Sequence, residues 1–467
     1  MRDRNAARGI DGLTFGLFLS LVVIGWLAIY TVGYGDGYPD SFGDYLNTAS
    51  GKQTIWIGIS LFVFGIIYLI DWKFWRTFAY PIYGFALLLL ILVLIFGSTI
   101  KGATSWFSFG GFSLQPSEFA KFATCLAMAS YLSTYNTDLR NLYDQAIGVT
   151  IFSLPIVLIL LQPDAGSALV FLSFLLVLYR AGLSSVYFLI GGTLTLLLIL
   201  GIMYEAWITI LGLLWLGILV LNIRYKNHRL QRYTVFGLLV ALSVLAVQRG
   251  WIIETLGVNA AVLLIIGLSQ YGKKSQLVNI TVASLAAGST IVYAANYAFN
   301  NFLGSHQQDR INVWLRPELC DPRGSLYNVL QSKMAIGSGG LHGKGFLQGT
   351  MTKLNYVPEQ TTDFIFCTIG EEQGFIGSTL IILVFCALML RIVFLAEKQR
   401  SLFSRYYAYG VAGILFIHIL INIGMTIGLM PIIGIPLPFI SKGGSSLLGF
   451  TIMMAVLIKL DSYRFSS

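Results

Sequence analysis

The sequence predicts an all-α polytopic membrane protein, a bundle of about 14 transmembrane helices with a large extracytoplasmic loop. Of its 467 residues, 56% are hydrophobic and only 11% are charged, which excludes a soluble globular chain. Runs of about 20 apolar residues recur between short polar breaks, and this is the length that a helix needs to cross the hydrocarbon of a bilayer. The runs therefore predict membrane-spanning helices rather than a barrel.

Fourteen apolar runs along the chain predict the spans. They lie near residues 13–33, 53–70, 78–99, 118–134, 145–161, 165–181, 185–203, 206–222, 233–249, 252–270, 277–297, 374–396, 406–428 and 444–460. The first run is too long for the apolar core of a signal peptide and lacks a small-residue cleavage site, so we expect it to remain as an anchor. The connection between the eleventh and twelfth runs is far longer than the others, which is typical of a functional loop.

Basic residues fall on alternate connections between the predicted spans, and cytoplasmic loops of membrane proteins carry the excess of Lys and Arg. Both termini are therefore predicted to face the cytoplasm and the long connection to face outward. The net charge of +9 follows from the same bias, and no clustered basic face indicates nucleic-acid binding. The basic run Arg224–Arg232 fits either a cytoplasmic loop or a contact with anionic membrane lipids. The other basic connections contain Arg2, Arg4 and Arg8, Lys73 and Arg76, Arg140, Arg180, Lys273 and Lys274, Lys398 with Arg400 and Arg405, and Lys459 with Arg464.

Acidic residues crowd the segment that leads into the twelfth span, which reads YVPEQTTDFIFCTIGEEQGFIG over residues 356–377. It carries Glu359, Asp363, Glu371 and Glu372. Ionisable groups at a membrane boundary are costly and mark functional sites. We therefore expect the chemistry of this protein here.

The outward-facing loop before this acidic segment mixes cations, carboxylates, aromatic residues and glycines. Apolar residues between Val313 and Met334 predict one or more ordered amphipathic helices at the membrane surface. The glycine-rich stretch GSGGLHGKG is not a phosphate-binding P-loop, because no strand precedes it and no Ser or Thr follows Lys344. Its glycines let backbone amides approach an anion beside Lys344, and a flexible turn is an equal alternative.

Two polar motifs at helix starts face the same side. Glu118 and Lys121 stand one turn apart on a helix that Ser117 is predicted to cap, so they share a face. They either belong to a site or form an ion pair that neutralises itself. Asp164 precedes another helix start and is interpreted mainly as an N-cap carboxylate.

A proline-rich segment separates the last two spans. Three prolines and several glycines there force non-helical backbone, which must be covered by protein or line a cavity. Ser441 and Lys442 would be polar groups at the mouth of that cavity. A rigid hairpin is the alternative.

Five stretches of the sequence, in this order, resemble the SEDS family (shape, elongation, division and sporulation). They are GATSWFSFGGFSLQPSEFAK, QPDAGSAL, QSKMAIGSGGLHGKG, PEQTTDFIFCTIGEEQGFIG and NIGMTIGLMPIIGIPLPFISKGGSS. Within the family, QSKMAIGSGGL and GLMPIIGIPLPFIS are more similar to the elongation branch than to the division branch. The resemblance spans most of the chain and implies a SEDS-type helical bundle.

The resemblance also implies an activity and a partner. Members are peptidoglycan glycosyltransferases that polymerise lipid II into glycan strands on the outer face of the bacterial cytoplasmic membrane during cell elongation. The implied partner is a class B penicillin-binding protein, which supplies the transpeptidase within the elongation machinery. By motif, Asp363 matches the essential acidic residue of the family, Glu118 and Lys121 match its QPSE-x-x-K motif, and Trp106 matches its loop tryptophan.

The implied reaction needs a base for the attacking sugar hydroxyl and positive charge for the departing lipid diphosphate. Asp363 is the expected base, and its alternative interpretation is a cap, with Thr362, on the next helix. Lys121, Lys344 and Arg310 are the expected diphosphate-binding cations, with a divalent cation, Mg²⁺ or Mn²⁺, as another neutraliser. The expected substrate-binding set is Glu118, Lys121, Trp106, Arg310, Lys344, Ser441 and Lys442, supported by Glu359, Glu371 and Glu372.

The chain departs from the family pattern at two places. Lys442 stands where the family usually has a tyrosine. The region 204–275 exceeds the ten-span plan of the family by about four helices, and we expect an accessory bundle without a site of its own. The expected division of the chain is 1–203 for the N-terminal bundle, 204–275 for the inserted helices, 276–298 for one span, 299–373 for the extracytoplasmic loop with the active site, and 374–467 for the last spans.

Two other functional classes stay open. A lipid II flippase, or another transporter of lipid-linked sugars, also uses many helices with carboxylates and proline-broken segments, and inverted repeats would favour it. A scaffold that recruits synthases would need its carboxylates only at helix ends.

Overall fold

The computed structural model describes residues 9–33, 42–100, 102–109, 112–223, 229–324 and 326–464. The chain divides into two compact units, one formed by Met1–Ser184 with Asp321–Ser467 and the other by Ser185–Cys320. The predicted insertion 204–275 lies inside the second unit, which extends beyond it at both ends. The basic residues predicted at the N-terminus, and Arg224, lie outside the described residues.

Within its described residues, the first unit begins with nine α-helices and a small sheet. Thr48 and Asp71 accept backbone N–H groups as N-caps of the third and fourth helices, as short polar side chains do at helix starts. The helices are α1 (Gly12–Gly33), α2 (Phe42–Asn47), α3 (Ala49–Leu69), α4 (Trp72–Thr77), α5 (Ala79–Phe96), α6 (Pro116–Leu132), α7 (Leu142–Leu160), α8 (Ala165–Val170) and α9 (Phe174–Arg180), and a 3-10 turn over Phe171–Ser173 joins α8 to α9.

The second unit is helical throughout its described part. Its elements are α10 (Ser185–Met203), α11 (Ala206–Ile223), α12 (Arg229–Gln248), α13 (Ile252–Asn301), α14 (Ser305–Leu315) and a 3-10 turn over Pro317–Leu319. The first unit then resumes with α15 (Tyr327–Ser338), α16 (Thr350–Lys353), α17 (Ile365–Lys398), α18 (Leu402–Thr426) and α19 (Gly444–Ser462). The loop before Asp363 is thus ordered into short helices, as its apolar pattern predicts.

The predicted membrane-spanning architecture is confirmed. Among the described residues, twelve helical segments are long and apolar enough to cross a membrane. The pair α8 and α9 forms a shorter apolar helix, Ala165–Arg180, and α6 is a 17-residue helix that carries Glu118 and Lys121. Together they account for the predicted fourteen spans, and the chain is a multi-pass helical membrane protein.

Helix α13 reverses direction, although its backbone is helical over 50 residues. A Cβ on Gly217 of α11 would lie 3.2 Å from a methyl group of Leu263 and 2.4 Å from a methyl group of Leu285. Along a straight helix, two residues 22 positions apart are about 33 Å from each other. The segment is therefore a helical hairpin that supplies two spans, as predicted, but its turn is helical where the sequence predicted a loop.

Helices α18 and α19 form the centre of the first unit. In α18, 78% of the most apolar stretch is buried inside the unit, and in α19 the fraction is 89%, against 22–39% for α1, α3, α5, α7 and α17. Tyr407 of α18 is fully buried and donates its hydroxyl to the carbonyl oxygen of Met453 in α19 at 3.1 Å. The peripheral helices present their remaining apolar faces outward, as lipid-facing helices do.

A three-stranded antiparallel sheet replaces the plain loop that the sequence predicted between the third and fourth spans. Strands β1 (Ser98–Ile100), β2 (Ala103–Phe109) and β3 (Phe112–Leu114) pair in that order. The backbone N–H of Thr104 donates to the carbonyl oxygen of Gln162 at 3.2 Å, which attaches the sheet to the end of α7. The aromatic residues Trp106, Phe107 and Phe109, which favour strands, are the signal that the span prediction passed over.

Candidate active site

The turn that carries Asp363 is held in place by its main chain. Asn422 of α18 donates one side-chain hydrogen bond to the carbonyl oxygen of Asp363, at 2.9 Å, and another to that of Ile435, at 2.7 Å. Ser441 donates its hydroxyl to the carbonyl oxygen of Thr362 at 2.5 Å. These bonds fasten the start of α17 to α18 and to the proline-rich segment, so the Asp363 side chain projects from a fixed backbone.

The proline-rich segment approaches the Asp363 carboxylate closely. A Cβ on Gly434, whose φ is +72°, would lie 3.3 Å from Asp363 Oδ2. Glycine suits this position twice, because L side chains rarely adopt such a φ and because a side chain would crowd the carboxylate. Asp363 itself is half-buried. The proline-rich segment is non-helical, as predicted, and it lies beside the acidic turn.

Asp363 does not occupy the N-cap of α17. The N-cap is Phe364, and no side chain caps the first turn of this helix. The alternative interpretation, in which Thr362 and Asp363 serve only to cap the helix, is therefore wrong. The hydroxyl of Thr362 instead donates to Glu359 Oε2 at 3.0 Å, and the carbonyl oxygen of Glu359 accepts the N–H groups of Thr362 and Phe364.

Glu118 and Lys121 form a buried ion pair inside the first unit. Their side chains are 2% and 1% exposed, and Lys121 Nζ lies 2.9 Å from Glu118 Oε2. Lys121 Nζ also lies 2.8 Å from His418 Nε2 and 5.1 Å from the centre of the Phe450 ring. The ion pair that the sequence left open is present. The pair buries the ammonium of Lys121. The role of these two residues in binding substrate stays a prediction.

The start of α6 differs from the predicted cap. The helix begins at Pro116, its N-cap is Gln115, and no side chain caps it, so the prediction that Ser117 is the cap was wrong. Proline at the first helical position already fixes the required φ. The predicted cap at Asp164 is present, because Asp164 Oδ1 accepts the N–H of Ser167 at 3.0 Å. Gln115 donates to Asp164 Oδ2 at 2.9 Å and links the two helix starts.

Glu371 organises the loop that precedes Asp363. Its side chain is fully buried, and Oε1 lies 2.6 Å from Lys344 Nζ. It also accepts the backbone N–H groups of Met351 and Thr352, each at 2.9 Å, and the Thr352 hydroxyl at 2.7 Å. Lys344 is 27% exposed, and its ammonium is paired with this carboxylate of the protein.

The glycine-rich stretch is a seam of close backbone packing. A Cβ on Gly339 would lie 2.1 Å from the carbonyl oxygen of Gly370, and one on Gly343 would lie 2.0 Å from that of Glu372. Helix α17 is interrupted at Gly374, whose φ is +63°, where the two backbones meet. The flexible-turn alternative for GSGGLHGKG is thus wrong, because Gly339 and Gly343 pack their backbones against α17, where a side chain would not fit.

The remaining predicted residues lie in different surroundings. Glu372 is 4% exposed and lines an apolar cavity of about 260 Å³ between α1 and α17. Trp106 is half-buried on β2, opposite Ser98 of β1. Arg310 is exposed on α14, in the second unit. Its role stays a prediction.

Lys442 lies next to the Asp363 turn, and its backbone N–H donates to the carbonyl oxygen of Thr361 at 2.8 Å. Burial lowers the pKa of the Lys442 ammonium, the nearby Lys52 lowers it further, and Glu359 opposes both. Lys52, on α3, is a residue that the sequence reasoning missed. A single exposed lysine at the start of a span gave no signal of its own.

The divalent cation that was expected as an alternative neutraliser stays a prediction. Across the part of the chain that the structure describes, no group of three or more His, Cys, Asp or Glu side chains could hold a metal ion. Mg²⁺ that accompanies a diphosphate is usually held by one or two carboxylates together with the phosphate oxygens. We route no step of the reaction through a metal.

His418 and Asn422 are the other two residues that the sequence reasoning missed. Both are buried on α18, where His418 Nε2 lies beside Lys121 Nζ and His418 Nδ1–H donates to the Pro436 carbonyl oxygen at 3.1 Å. They stand four residues apart, which places them on one face of the helix. Two polar residues at that spacing in an otherwise apolar span were the signal available.

Comparison with known proteins gives a consistent set of relatives. A family model described as "Cell cycle protein" (FtsW, RodA and SpoVE) matches residues 11–234 and 211–465. The chain is 30% identical over 459 residues to the peptidoglycan glycosyltransferase RodA of Treponema pallidum, covering 97% of this chain and 99% of that protein. It is 29% identical to the peptidoglycan glycosyltransferase MrdB of Escherichia coli, over 86% of this chain and 83% of that one.

Solved structures share the fold. A chain from a structure described as "Structural coordination of polymerization and crosslinking by a peptidoglycan synthase complex" superposes with a TM-score of 0.61 at 23% identity, over 98% of this chain and 99% of that chain. The rod shape determining protein RodA of Thermus thermophilus superposes with a TM-score of 0.56 at 21% identity, over 98% of each chain.

Proposed function

The chain belongs to the FtsW, RodA and SpoVE family of cell cycle proteins, and from this premise we propose that it is a peptidoglycan glycosyltransferase that polymerises lipid II during cell elongation. The observation that carries the proposal is the similarity over 97% of the chain to the RodA of Treponema pallidum, which is named for this activity. The MrdB of Escherichia coli, similar over 86% of the chain, bears the same enzyme name. The elongation role follows the naming of these two relatives.

We place the protein in the bacterial cytoplasmic membrane with both termini in the cytoplasm and the Asp363 turn outside. The bias of basic residues toward alternate connections supports this orientation. Lys459, near the end of α19, donates to the carbonyl oxygen of Tyr68 at the end of α3, so these two helix ends lie together on the proposed cytoplasmic side. Lipid II would then reach the site from the outer leaflet.

The proposed reaction is a direct displacement at the anomeric carbon of one sugar by a hydroxyl of the other. A new C–O bond forms while the bond from the anomeric carbon to the lipid diphosphate breaks, and the diphosphate leaves with the electron pair. The hydroxyl proton passes to the Asp363 carboxylate. Displacement inverts the anomeric centre, so an α-linked donor yields a β-linked polymer.

Three features support Asp363 as the general base. Its backbone is fixed by Asn422 and Ser441, its carboxylate stands beside Gly434 with no side chain between, and it does not cap α17. A base must be held within reach of the proton that it takes, and positioning of this kind serves that need.

The test is polymerisation of labelled lipid II by the purified full chain in detergent, where translocation has no meaning. Asp363→Asn keeps the size of the side chain but removes its basicity, so glycan synthesis should fall by a factor of about 10² or more. Asp164→Asn is the matched control, because asparagine also caps helices and this residue is assigned no chemistry.

The product should be insensitive to moenomycin, and the thermal midpoint of Asp363→Asn should match that of the wild type. Wild-type turnover by Asp363→Asn would remove Asp363 as the base. Absence of product from the wild-type chain, with or without a partner, would favour the flippase or scaffold instead.

We further propose that the chain works in complex with a class B penicillin-binding protein, together with the rest of the elongation machinery. The shared fold with a chain of a peptidoglycan synthase complex supports this partner class. Co-purification of the two proteins and stimulation of glycan synthesis by the partner would be the expected results. A partner that neither binds nor stimulates would contradict the proposal.

We assign the inserted region 204–275 to an accessory bundle without a catalytic role. Its support is a hydrophobic cluster internal to the second unit, which includes Ile218, Leu221, Leu263, Val278 and Leu285. Asn259 is fully buried there, accepts a hydrogen bond from Trp215 and donates one to Ser243, so its polar groups are satisfied within the bundle. Neither feature requires a ligand.

A further inference from the structure

The departing diphosphate needs positive charge, and two of the three expected cations are already paired inside the first unit. Lys121 is 1% exposed against Glu118 and His418. Lys344 lies 2.6 Å from the buried carboxylate of Glu371. The role of Arg310, in the second unit, stays a prediction. Within the first unit, we therefore look for further cations around the Asp363 turn.

Lys442 is attached directly to that turn. Its backbone N–H donates to the carbonyl oxygen of Thr361 at 2.8 Å, and its neighbour Ser441 donates to the carbonyl oxygen of Thr362 at 2.5 Å. The ammonium of Lys442 makes no ion pair or hydrogen bond within the described part of the chain. Its side chain is half-buried, and the attraction of Glu359 does not outweigh burial and the repulsion of Lys52, so an arriving anion would stabilise the ammonium.

Lys52 lies across from Lys442 because of how α3 packs on α19. The Trp56 ring of α3 lies directly against Gly444, where a Cβ would fall 1.9 Å from Trp56 Cε2. Lys52 is four residues before Trp56 and so lies on the same face of α3, one turn nearer the Asp363 end. The lowering of the Lys442 pKa by Lys52 agrees with this placement.

Backbone amides add to the positive field. Helix α19 begins at Gly444, two residues after Lys442, and its N-cap Gly443 has no side chain to cap the first turn. The N-terminal N–H groups of a 19-residue helix carry partial positive charge and bind anions readily. Two ammonium groups and these amides thus converge beside the turn that carries Asp363.

We propose that Lys52 and Lys442 form the diphosphate-binding site of this enzyme, holding the leaving group of the donor lipid. The inference rests on the proposed function and names the residues for that part of the reaction. A diphosphate at a prenyl terminus carries more charge than a monophosphate, and two ammonium groups flanking it discriminate between the two.

The test measures binding of farnesyl diphosphate and farnesyl monophosphate to the purified full chain in detergent, by competition with a fluorescent prenyl diphosphate. The wild type should bind the diphosphate at least tenfold more tightly than the monophosphate. Lys52→Gln and Lys442→Gln should each weaken diphosphate binding by about tenfold, because each removes a charge-assisted hydrogen bond. Lys442→Arg keeps the positive charge and should bind the diphosphate as tightly as the wild type does.

Lys353→Gln is the matched control, an exposed lysine of α16 outside this site, and should bind the diphosphate as the wild type does. In the polymerisation assay the two variants should raise the KM for lipid II more than they lower kcat. Equal binding of diphosphate by the wild type and both variants, at unchanged thermal midpoints, would overturn the inference.

Failure of the proposed function is distinguishable from failure of this inference, because the binding assay needs no turnover. If the wild type makes no glycan but its diphosphate binding depends on the two lysines, the proposed site stands and the proposed reaction is rejected. If the wild type polymerises lipid II but binds diphosphate independently of both lysines, the proposed reaction stands and the proposed site is rejected.

Discussion

Removing one partner of the Glu118 and Lys121 pair should destabilise the protein far more than removing both. In Glu118→Gln, the Lys121 ammonium stays 1% exposed, with His418 Nε2 at 2.8 Å as its remaining neighbour. An uncompensated buried charge of this kind costs about 3–5 kcal/mol. Lys121→Met leaves the Glu118 carboxylate equally buried and should cost a similar amount.

The double variant Glu118→Gln with Lys121→Met removes both charges and keeps the volume. Replacing a whole buried pair is often nearly neutral, so the double variant should lose no more than about 2 kcal/mol. The two single losses sum to about 6–10 kcal/mol, and the expected coupling energy is therefore about 4 kcal/mol or more.

The assay is unfolding by SDS titration in mixed micelles, followed by tryptophan fluorescence, with the free energy of unfolding compared across the cycle. Arg180→Gln is the control, because its ion pair with Glu397 is 46% and 50% exposed and should contribute at most about 1 kcal/mol. Losses that simply add in the double variant, within about 0.5 kcal/mol, would refute the argument that burial of the pair sets its energy.

Two further predictions concern the glycine seam and the titration of Lys442. Gly343→Ala should abolish folded yield, because its Cβ would lie 2.0 Å from the Glu372 carbonyl oxygen and because the φ of this residue is +80°. Gly337→Ala, which has open space around it, should be neutral or slightly stabilising. Size-exclusion profiles in detergent compare the two variants. Burial and Lys52 hold the pKa of Lys442 below its ordinary value of 10.5, against the opposing effect of Glu359. The folded state therefore loses this proton at a lower pH than the unfolded chain does. Between the folded and the unfolded pKa of Lys442, the free energy of unfolding should rise with pH. Thermal midpoints measured from pH 8 toward 10.5 should rise for the wild type relative to Lys442→Gln, and parallel curves would contradict the lowered pKa.

The spans were predictable because each is a long apolar run, and hydrocarbon leaves the backbone no alternative to a helix. Two features differ from the prediction, the sheet and the helical turn within α13, and each difference has a physical reason. The sheet around Trp106 consists of three to seven residues per strand, too short to compete with the apolar signal on either side. The helical turn within α13 was missed because two lysines at 273 and 274 suggested a loop, and a charged pair is equally compatible with helix.

The acidic segment was predictable as a site, but the partners of its carboxylates were not. Charge placement alone singled out Asp363 and Glu371 equally, and the family motif already favoured Asp363. The fold adds the physical reason, because Glu371 is paired with Lys344 and with the backbone of α16. Likewise, the spacing of Glu118 and Lys121 predicted a shared helix face, while the presence of His418 against them depends on how α18 packs on α6. Long-range neighbours of this kind leave no trace in local sequence pattern.

The break in α17 at Gly374 bears on how substrates enter. Past the break, the amides of Phe375 and Ile376 donate to the carbonyl oxygens of Gly340 and Leu341, at 2.9 and 3.1 Å, instead of to their own helix. Movement of the 339–345 loop would leave both amides without a hydrogen-bond partner, which costs about 1–3 kcal/mol each. It would also break the buried hydrogen bonds of Glu371. That loop is thus a fixed wall rather than a lid, and both the growing strand and the incoming sugar must be admitted from another side.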